Sequence, residues 1–343
     1  MKLIIQIPCY NEAETLEVAL NALPKKIDGI DEIEYLIIND GSDDDTERIA
    51  KEWGVHHIVH FKRNLGLARG FMAGLDLALR KGADIIVNTD ADNQYCGEDI
   101  EKLVRPILEK KADIVIGERP IDDIEHFSFV KKKLQRIGSW VVKKASKTDI
   151  PDAPSGFRAY SKHAAMRMNV NNEYTYTLET IVQAGRNKMA ITSVPVRTNP
   201  ELRKSRLFKS MWSYIKKSIL TIFRALLMYR PLQVFTLVGT LFGLVGVVVC
   251  ARFLIFYIQG DGTGHVQSLI LATTLIIICV QMFAMGMQAD IISANRKLLE
   301  DMQFRIKKME LAMLNADGTL KTNDKTVEEA ENVLGDDEND HSE

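Results

Sequence analysis

Paired cysteines are missing from this 343-residue chain. Its four cysteines, Cys9, Cys96, Cys250 and Cys279, share no ligand-like spacing. That excludes a zinc ribbon and a disulfide framework and fits a reducing compartment for the soluble part. A net charge of consequence is also missing: 44 Lys and Arg against 46 Asp and Glu leave -2. No global field therefore draws nucleic acid. The charges are segregated, with basic stretches at 131–147 and 203–230 and an acidic tail beyond Asp336. His56, His57 and His60 form no metal-ligand spacing with a nearby acid and read as strand or loop residues. No cleavage site follows Met1-Lys-Leu-Ile-Ile5, which enters a strand pattern at once, so no signal peptide is expected.

What is present is an alternation. Residues 3–7, 34–38, 57–60, 85–88 and 114–116 are apolar runs of strand length. Between them, 14–23, 45–53, 67–81 and 98–110 carry helical periodicity. Strands alternating with helices predict a parallel sheet covered on both faces. In such sheets ligands bind beyond the carboxyl ends of the strands. Three polar clusters, Asn11-Glu12, Asp40-Gly41-Ser42 and Asp90-Ala91-Asp92, each follow a strand and so share one rim.

Beyond residue 120 the alternation fades. Residues 127–147 read as a basic amphipathic helix, 174–185 as a helix and 191–197 as a strand. Residues 207–229 mix apolar and basic positions in the manner of a membrane-surface segment. Two segments, 232–251 and 266–289, then contain no charged residue. About 20 apolar residues in a helix cross a hydrocarbon core of about 30 Å. Their short connection, near 259–265, carries no Lys or Arg, whereas Arg224, Arg230, Arg296 and Lys297 crowd the outer flanks. The positive-inside rule places both termini in the cytoplasm. Arg252 snorkels to the interface or meets a lipid head group. Gly239 and Gly243 are four residues apart, a spacing that permits close packing of spans and association of copies. Ile292, Leu299, Ile306 and Met313 recur every seven residues, with Met302 and Met309 between them. That pattern fits a short coiled coil or an amphipathic helix lying on the catalytic domain. The expected layout is a catalytic unit over 1–206, interfacial helices over 207–231, two spans over 232–289, a cytoplasmic helix over 290–317 and a disordered acidic tail over 318–343.

Asp90 and Asp92, one residue apart just past a strand, are hard oxygen donors suited to Mg²⁺ or Mn²⁺, which would neutralise a nucleotide diphosphate. Asp40-Gly41-Ser42 is equally a turn. Arg63-Asn64-Leu65-Gly66 offers its backbone to a ligand or simply starts a helix.

Pro8-Cys9-Tyr10-Asn11-Glu12, Asn39-Asp40-Gly41-Ser42 and Asp90-Ala91-Asp92, in this order, resemble the family 2 inverting glycosyltransferases. More narrowly, Asp90-Ala91-Asp92-Asn93-Gln94, Ser155-Gly156-Phe157-Arg158 and the two-span end resemble polyprenyl-phosphate glycosyltransferases of the dolichyl-phosphate mannose synthase type. The resemblance covers about residues 1–230. It implies a GT-A fold: a Rossmann-like, mostly parallel α/β sheet with helices on both faces. It implies direct metal contacts from Asp92 and Gln94, with Asp90 on the metal or the nucleotide ribose. Pro8, Tyr10, Asn11, Glu12, Asp40, Gly41, Ser42, Asn64, Gly66 and Ala91 would then line the nucleotide-sugar site. Arg119, Arg136, Ser139 and either Arg203 or Arg206 would bind the lipid phosphate, through arginine forks that shield it from the donor diphosphate.

A phosphate monoester is anionic near pH 7 and needs orientation more than a general base. Asp152 lies near the reacting sugar or shapes a turn. Glu179 touches sugar hydroxyls or sits in a buried pair, and Arg158 pairs with an active-site carboxylate. The expected function is inverting, metal-dependent transfer of a hexose from GDP or UDP to dolichyl or undecaprenyl phosphate. The setting is the cytoplasmic face of a cell or endoplasmic reticulum membrane, with no nucleic acid partner. Rivals are transfer to another lipid, such as diacylglycerol or ceramide, and an inactive membrane scaffold. A processive polysaccharide synthase would add a Gln-x-x-Arg-Trp motif and further spans, neither of which is present.

Overall fold

A computed structural model describes residues 1–120, 148, 150–170, 176–200, 227, 231–260 and 266–313. Seven strands form one sheet: β1 (Lys2–Cys9), β2 (Glu32–Asn39), β3 (His57–His60), β4 (Ile85–Asn88), β5 (Ile114–Glu118), β6 (Arg158–Ser161) and β7 (Ile191–Pro195). Their spatial order is β3-β2-β1-β4-β6-β5-β7. All neighbours run parallel except β6, which lies antiparallel between β4 and β5. The six strands expected from sequence are all present, each within a few residues. β6 has no counterpart among the strands expected from sequence.

Alternation builds the two core layers, because successive side chains of a strand point to opposite faces. Ile4, Leu36, Ile38, Ile86, Ile114 and Ile116 pack to one side. There they meet Phe71, Leu75 and Leu79 of α3 (Leu67–Arg80), whose four-residue spacing makes one helix face. Leu3, Ile5, Ile7, Ile37, Ile85 and Val87 pack to the other. They meet α1 (Leu16–Asn21) and Ile100, Leu103, Val104 and Ile107 of α4 (Ile100–Leu108). Helix α2 (Thr46–Trp53) follows β2, and α5 (Lys162–Arg167) and α6 (Thr177–Arg186) close the first layer.

Two long helices follow: α7 (Pro231–Ile258) and α8 (Val266–Ala312), of 28 and 47 residues. Both are long and apolar enough to cross a membrane. Gly239, Gly243 and Gly246 face α8 of the same chain: a Cβ on Gly239 would stand 3.1 Å from Met282. The close span packing that the Gly239–Gly243 spacing permits is thus made within one chain. The cytoplasmic helix expected from 290 is not separate, since α8 runs through to Ala312 without a break. No Gly or Pro interrupts 287–312. Arg296 of α8 meets the buried Glu179 of α6 at 2.6 Å. Arg167 lies over the Phe304 ring, 4.0 Å from its centroid. The expected interfacial helices and acidic tail fall outside the described residues.

Candidate active site

The strand ends come together as register dictates. Cys9 pairs with Asn39, Gln6 with Asn88, and Asn88 with Arg158. The segments after β1, β2 and β4 and before β6 therefore share one rim.

The first two segments lock to each other. Asn11, in the left-handed region at φ 56, donates its N–H to Ser42 Oγ at 3.0 Å. Its side-chain oxygen accepts from the Asp43 amide at 2.9 Å. The Glu12 amide donates to Thr46 Oγ1 at 2.8 Å. Asp40, expected on the nucleotide, accepts from the Leu65 and Gly66 amides at 2.7 and 2.9 Å. It thereby holds the Arg63–Gly66 loop at the start of α3. Gly41 has φ 69, and a Cβ there would lie 2.7 Å from both Arg63 Cα and Asn64 N. Pro8 and Tyr10 flank the buried Cys9, with Tyr10 exposed at the rim.

The third segment carries the acids. Asp92 accepts from the Gln94 amide at 3.1 Å, and Ala91 is buried between the two aspartates. A Cβ on Gly156 would sit 3.3 Å from both Asp90 carboxylate oxygens, so the 155–157 backbone lies against that carboxylate. Burial pushes the Asp90 carboxyl up to about 7, helped by Asp92 and Glu12 and opposed by Arg119. A cation would relieve this crowding of like charge. Among the described residues, no group of three or more His, Cys, Asp or Glu forms a metal cage. Two carboxylates at a ligand rim are the donor set Mg²⁺ uses when substrate phosphates complete its shell. The residues therefore fit a divalent ion, with Gln94 beside them.

Arg119, just after β5, is 9% exposed and gripped by Asp152 through Nε at 2.7 Å and Nη2 at 3.0 Å. Burial opposes its charge, but Tyr95, Asp152 and Asp90 outweigh that and raise its pKa. Asp152 is fully buried. It orients the arginine from beneath the rim.

Arg158, expected to pair with a carboxylate, finds other partners. It is buried and donates to the carbonyls of Ser155, Ala153 and Thr177 and to Thr180 Oγ1, at 2.6 to 2.8 Å. It shapes the 152–156 loop and pairs with no carboxylate among the described residues. Glu179 lies in a buried pair with Arg296 and not at the rim. Arg136, Ser139, Arg203 and Arg206 lie outside the described residues.

Several supporting residues were not foreseen. Asn88 donates from Nδ2 to the Gly156 carbonyl at 3.0 Å and to Tyr176 Oη at 2.8 Å, and accepts from Gln6 at 2.9 Å. Tyr176 stacks on Phe71 at 3.9 Å. Burial pushes the Tyr95 hydroxyl, which accepts from the Gly156 amide, up to about 12. Asn199 donates from its side chain to the Asn93 carbonyl at 3.0 Å and from its backbone to the Gln94 carbonyl at 2.8 Å, clamping the acidic loop. The only sequence signal was a polar residue, Asn88, at the end of a wholly apolar strand.

A Rossmann-like sheet with one antiparallel insertion, a paired-aspartate rim and a buried arginine–aspartate fork defines a GT-A type transferase. The family model described as glycosyl transferase family 2 matches residues 4–173. A UDP-N-acetylglucosamine–dolichyl-phosphate N-acetylglucosaminyltransferase of Methanococcus voltae is 30% identical over 56% of this chain and 83% of its own length. A polyprenol monophosphomannose synthase of Mycolicibacterium smegmatis is 24% identical over 60% of this chain and 80% of its own. The chain belongs to glycosyl transferase family 2. The fold is shared with glucosyl-3-phosphoglycerate synthase from Mycobacterium tuberculosis, solved with Mn²⁺, UDP and phosphoglyceric acid. The TM-score is 0.52 at 16% identity, over 66% of this chain and 77% of that one.

Proposed function

We propose that this chain transfers a hexose from a GDP- or UDP-linked donor to a polyprenyl phosphate, dolichyl or undecaprenyl, with inversion at the anomeric carbon. The reaction takes place at the cytoplasmic face of the membrane that α7 and α8 cross. The observation that carries this reading is the Asp90–Asp92 pair set beside an Asp152-held Arg119, in a chain with two candidate spans. Relatives named for dolichyl-phosphate and polyprenol acceptors support it.

Asp90 and Asp92 would hold Mg²⁺ or Mn²⁺, with Gln94 as a further oxygen donor. Such an ion supplies Lewis-acid neutralisation of the departing diphosphate. The loop after β1, pinned by Ser42 and Thr46, and the Arg63–Gly66 backbone, pinned by Asp40, bound the nucleotide side. Arg119 keeps Nη1 unused among the described residues, because Asp152 occupies Nε and Nη2. That edge would orient the acceptor phosphate for in-line attack on the anomeric carbon. The acceptor arrives as an anion, so no general base is required. Holding one substrate at the sheet rim and the other in the membrane converts a bimolecular encounter into a positioned one.

The test incubates membranes carrying the protein with Mg²⁺, polyprenyl phosphate and a panel of radiolabelled nucleotide sugars. Label in the organic extract that needs both lipid and metal is expected, and the panel names the sugar. Label that appears with diacylglycerol or ceramide instead overturns the acceptor assignment.

A further inference from the structure

Beyond the membrane, α8 has three distinct sides. One side docks on the chain's own catalytic domain through Arg296, which meets Glu179, and Phe304, which packs against Arg167 and His163. A second side is polar and carries Lys297, Arg305 and Lys308. The third carries Ile292, Leu299, Met302, Ile306, Met309 and Met313, each 55–68% exposed.

These six residues keep a seven-residue repeat. Ile292, Leu299, Ile306 and Met313 stand seven apart, and Met302 and Met309 fill the intermediate places. Asn295 holds the remaining intermediate place. An apolar repeat of 3.5 residues on an α-helix stays in register only with another helix of the same repeat, and a single polar core position fixes register.

Lipid does not cover the stripe. Residues 266–289 contain no charge. At about 1.5 Å per residue they extend about 36 Å, enough for a hydrocarbon core of about 30 Å. The stripe begins after them and continues for about 33 Å. Over that length the docked side of the same helix is paired to the soluble domain, by Glu179 near its start and by Arg80 with Glu310 near its end. The stripe therefore stands in water. Six large side chains at this exposure offer on the order of 700 Å² per chain, close to one partner's share of a standard interface. An apolar patch of that size is not carried bare by a stable soluble surface.

We propose that the stripe is covered by the same stripe of a second copy of this chain, as a short parallel coiled coil. Both copies enter from the same membrane, so their α8 helices point the same way and equal residues meet. The small-residue face of the spans is already filled by packing of α7 on α8, which leaves the cytoplasmic stripe as the joining surface.

The test uses the full-length protein in lipid nanodiscs. Met302→Cys lies on the stripe and Lys308→Cys on the polar side. Under mild oxidation, Met302→Cys is expected to convert most of the protein to a disulfide-linked two-copy band. Lys308→Cys and the parent are expected to give none. In detergent, light scattering coupled to size exclusion is expected to count two copies for the parent and one for Leu299→Glu/Ile306→Glu, with the unfolding midpoint of the catalytic domain unchanged. A one-copy parent, equal linking of both cysteine variants, or an undiminished copy number in the double variant overturns the proposal. The last of these would assign association to the spans.

Discussion

Asp90 and Asp92 do different work from Asp40 and Asp152, although all four follow strands or precede one on the same rim. Asp40 and Asp152 are committed to protein partners, whereas Asp90 and Asp92 carry the metal role proposed above. Asp92→Asn is expected to leave the protein folded but to cut transfer on the order of 100-fold or more, as loss of a charged ligand does. Transfer assays beside a thermal melt check both halves. Arg119→Lys keeps the charge but loses the fork, so acceptor KM should rise at least several-fold while nucleotide affinity holds. Steady-state kinetics against each substrate decides, and an equal loss of both removes the acceptor role. Gly41→Ala places a Cβ against the Arg63–Asn64 backbone at positive φ and is expected to cost about 1–3 kcal/mol, read by denaturant unfolding. Asp99 gives a pH signature. Its burial would raise the carboxyl, but hydrogen bonds from Arg197 and Lys102 hold it below the ordinary value. A pKa lowered on folding stabilises above the unfolded value, about 3.9, and that stability is lost as pH falls through the folded value. Between pH 5 and 3 the wild-type melting temperature should therefore drop more steeply than that of Asp99→Asn.

At the level of elements, β1 to β5 and their helices were legible because each strand is an apolar run bounded by turn residues. β6 was not: Arg158-Ala159-Tyr160-Ser161 is four residues long and opens on an arginine. Its pairing with β4 and β5, not its composition, makes it a strand. The Asp90–Asp92 pair was legible for the opposite reason, since only Ala91 separates the two acids and both stand just past a strand. The Arg119–Asp152 fork was not, because 33 residues separate its partners. Glu179 and Arg296, 117 residues apart, were equally hidden. That pair ties α8 to the first turn of α6, next to Tyr176 and its hydrogen bond to Gly156. Arg296→Gln leaves a buried carboxylate without its full charge partner and is expected to cost about 3 kcal/mol. Glu179→Gln/Arg296→Gln should recover most of it, and thermal melts of the three variants against wild type measure the difference.

For the whole molecule, the unbroken α8 joins the docked catalytic domain to the candidate membrane span through one continuous helix. A helix turns about 100° for each residue. Two alanines inserted after Asp290 would swing the docked domain about 200° around the helix axis while lifting it only about 3 Å. Seven would lift it about 10 Å yet return it to within about 20° of its starting angle. If the bearing of the site towards its lipid matters more than its height, activity should be lost with two inserted residues and largely return with seven. Catalysis in this chain would then depend on helical phase.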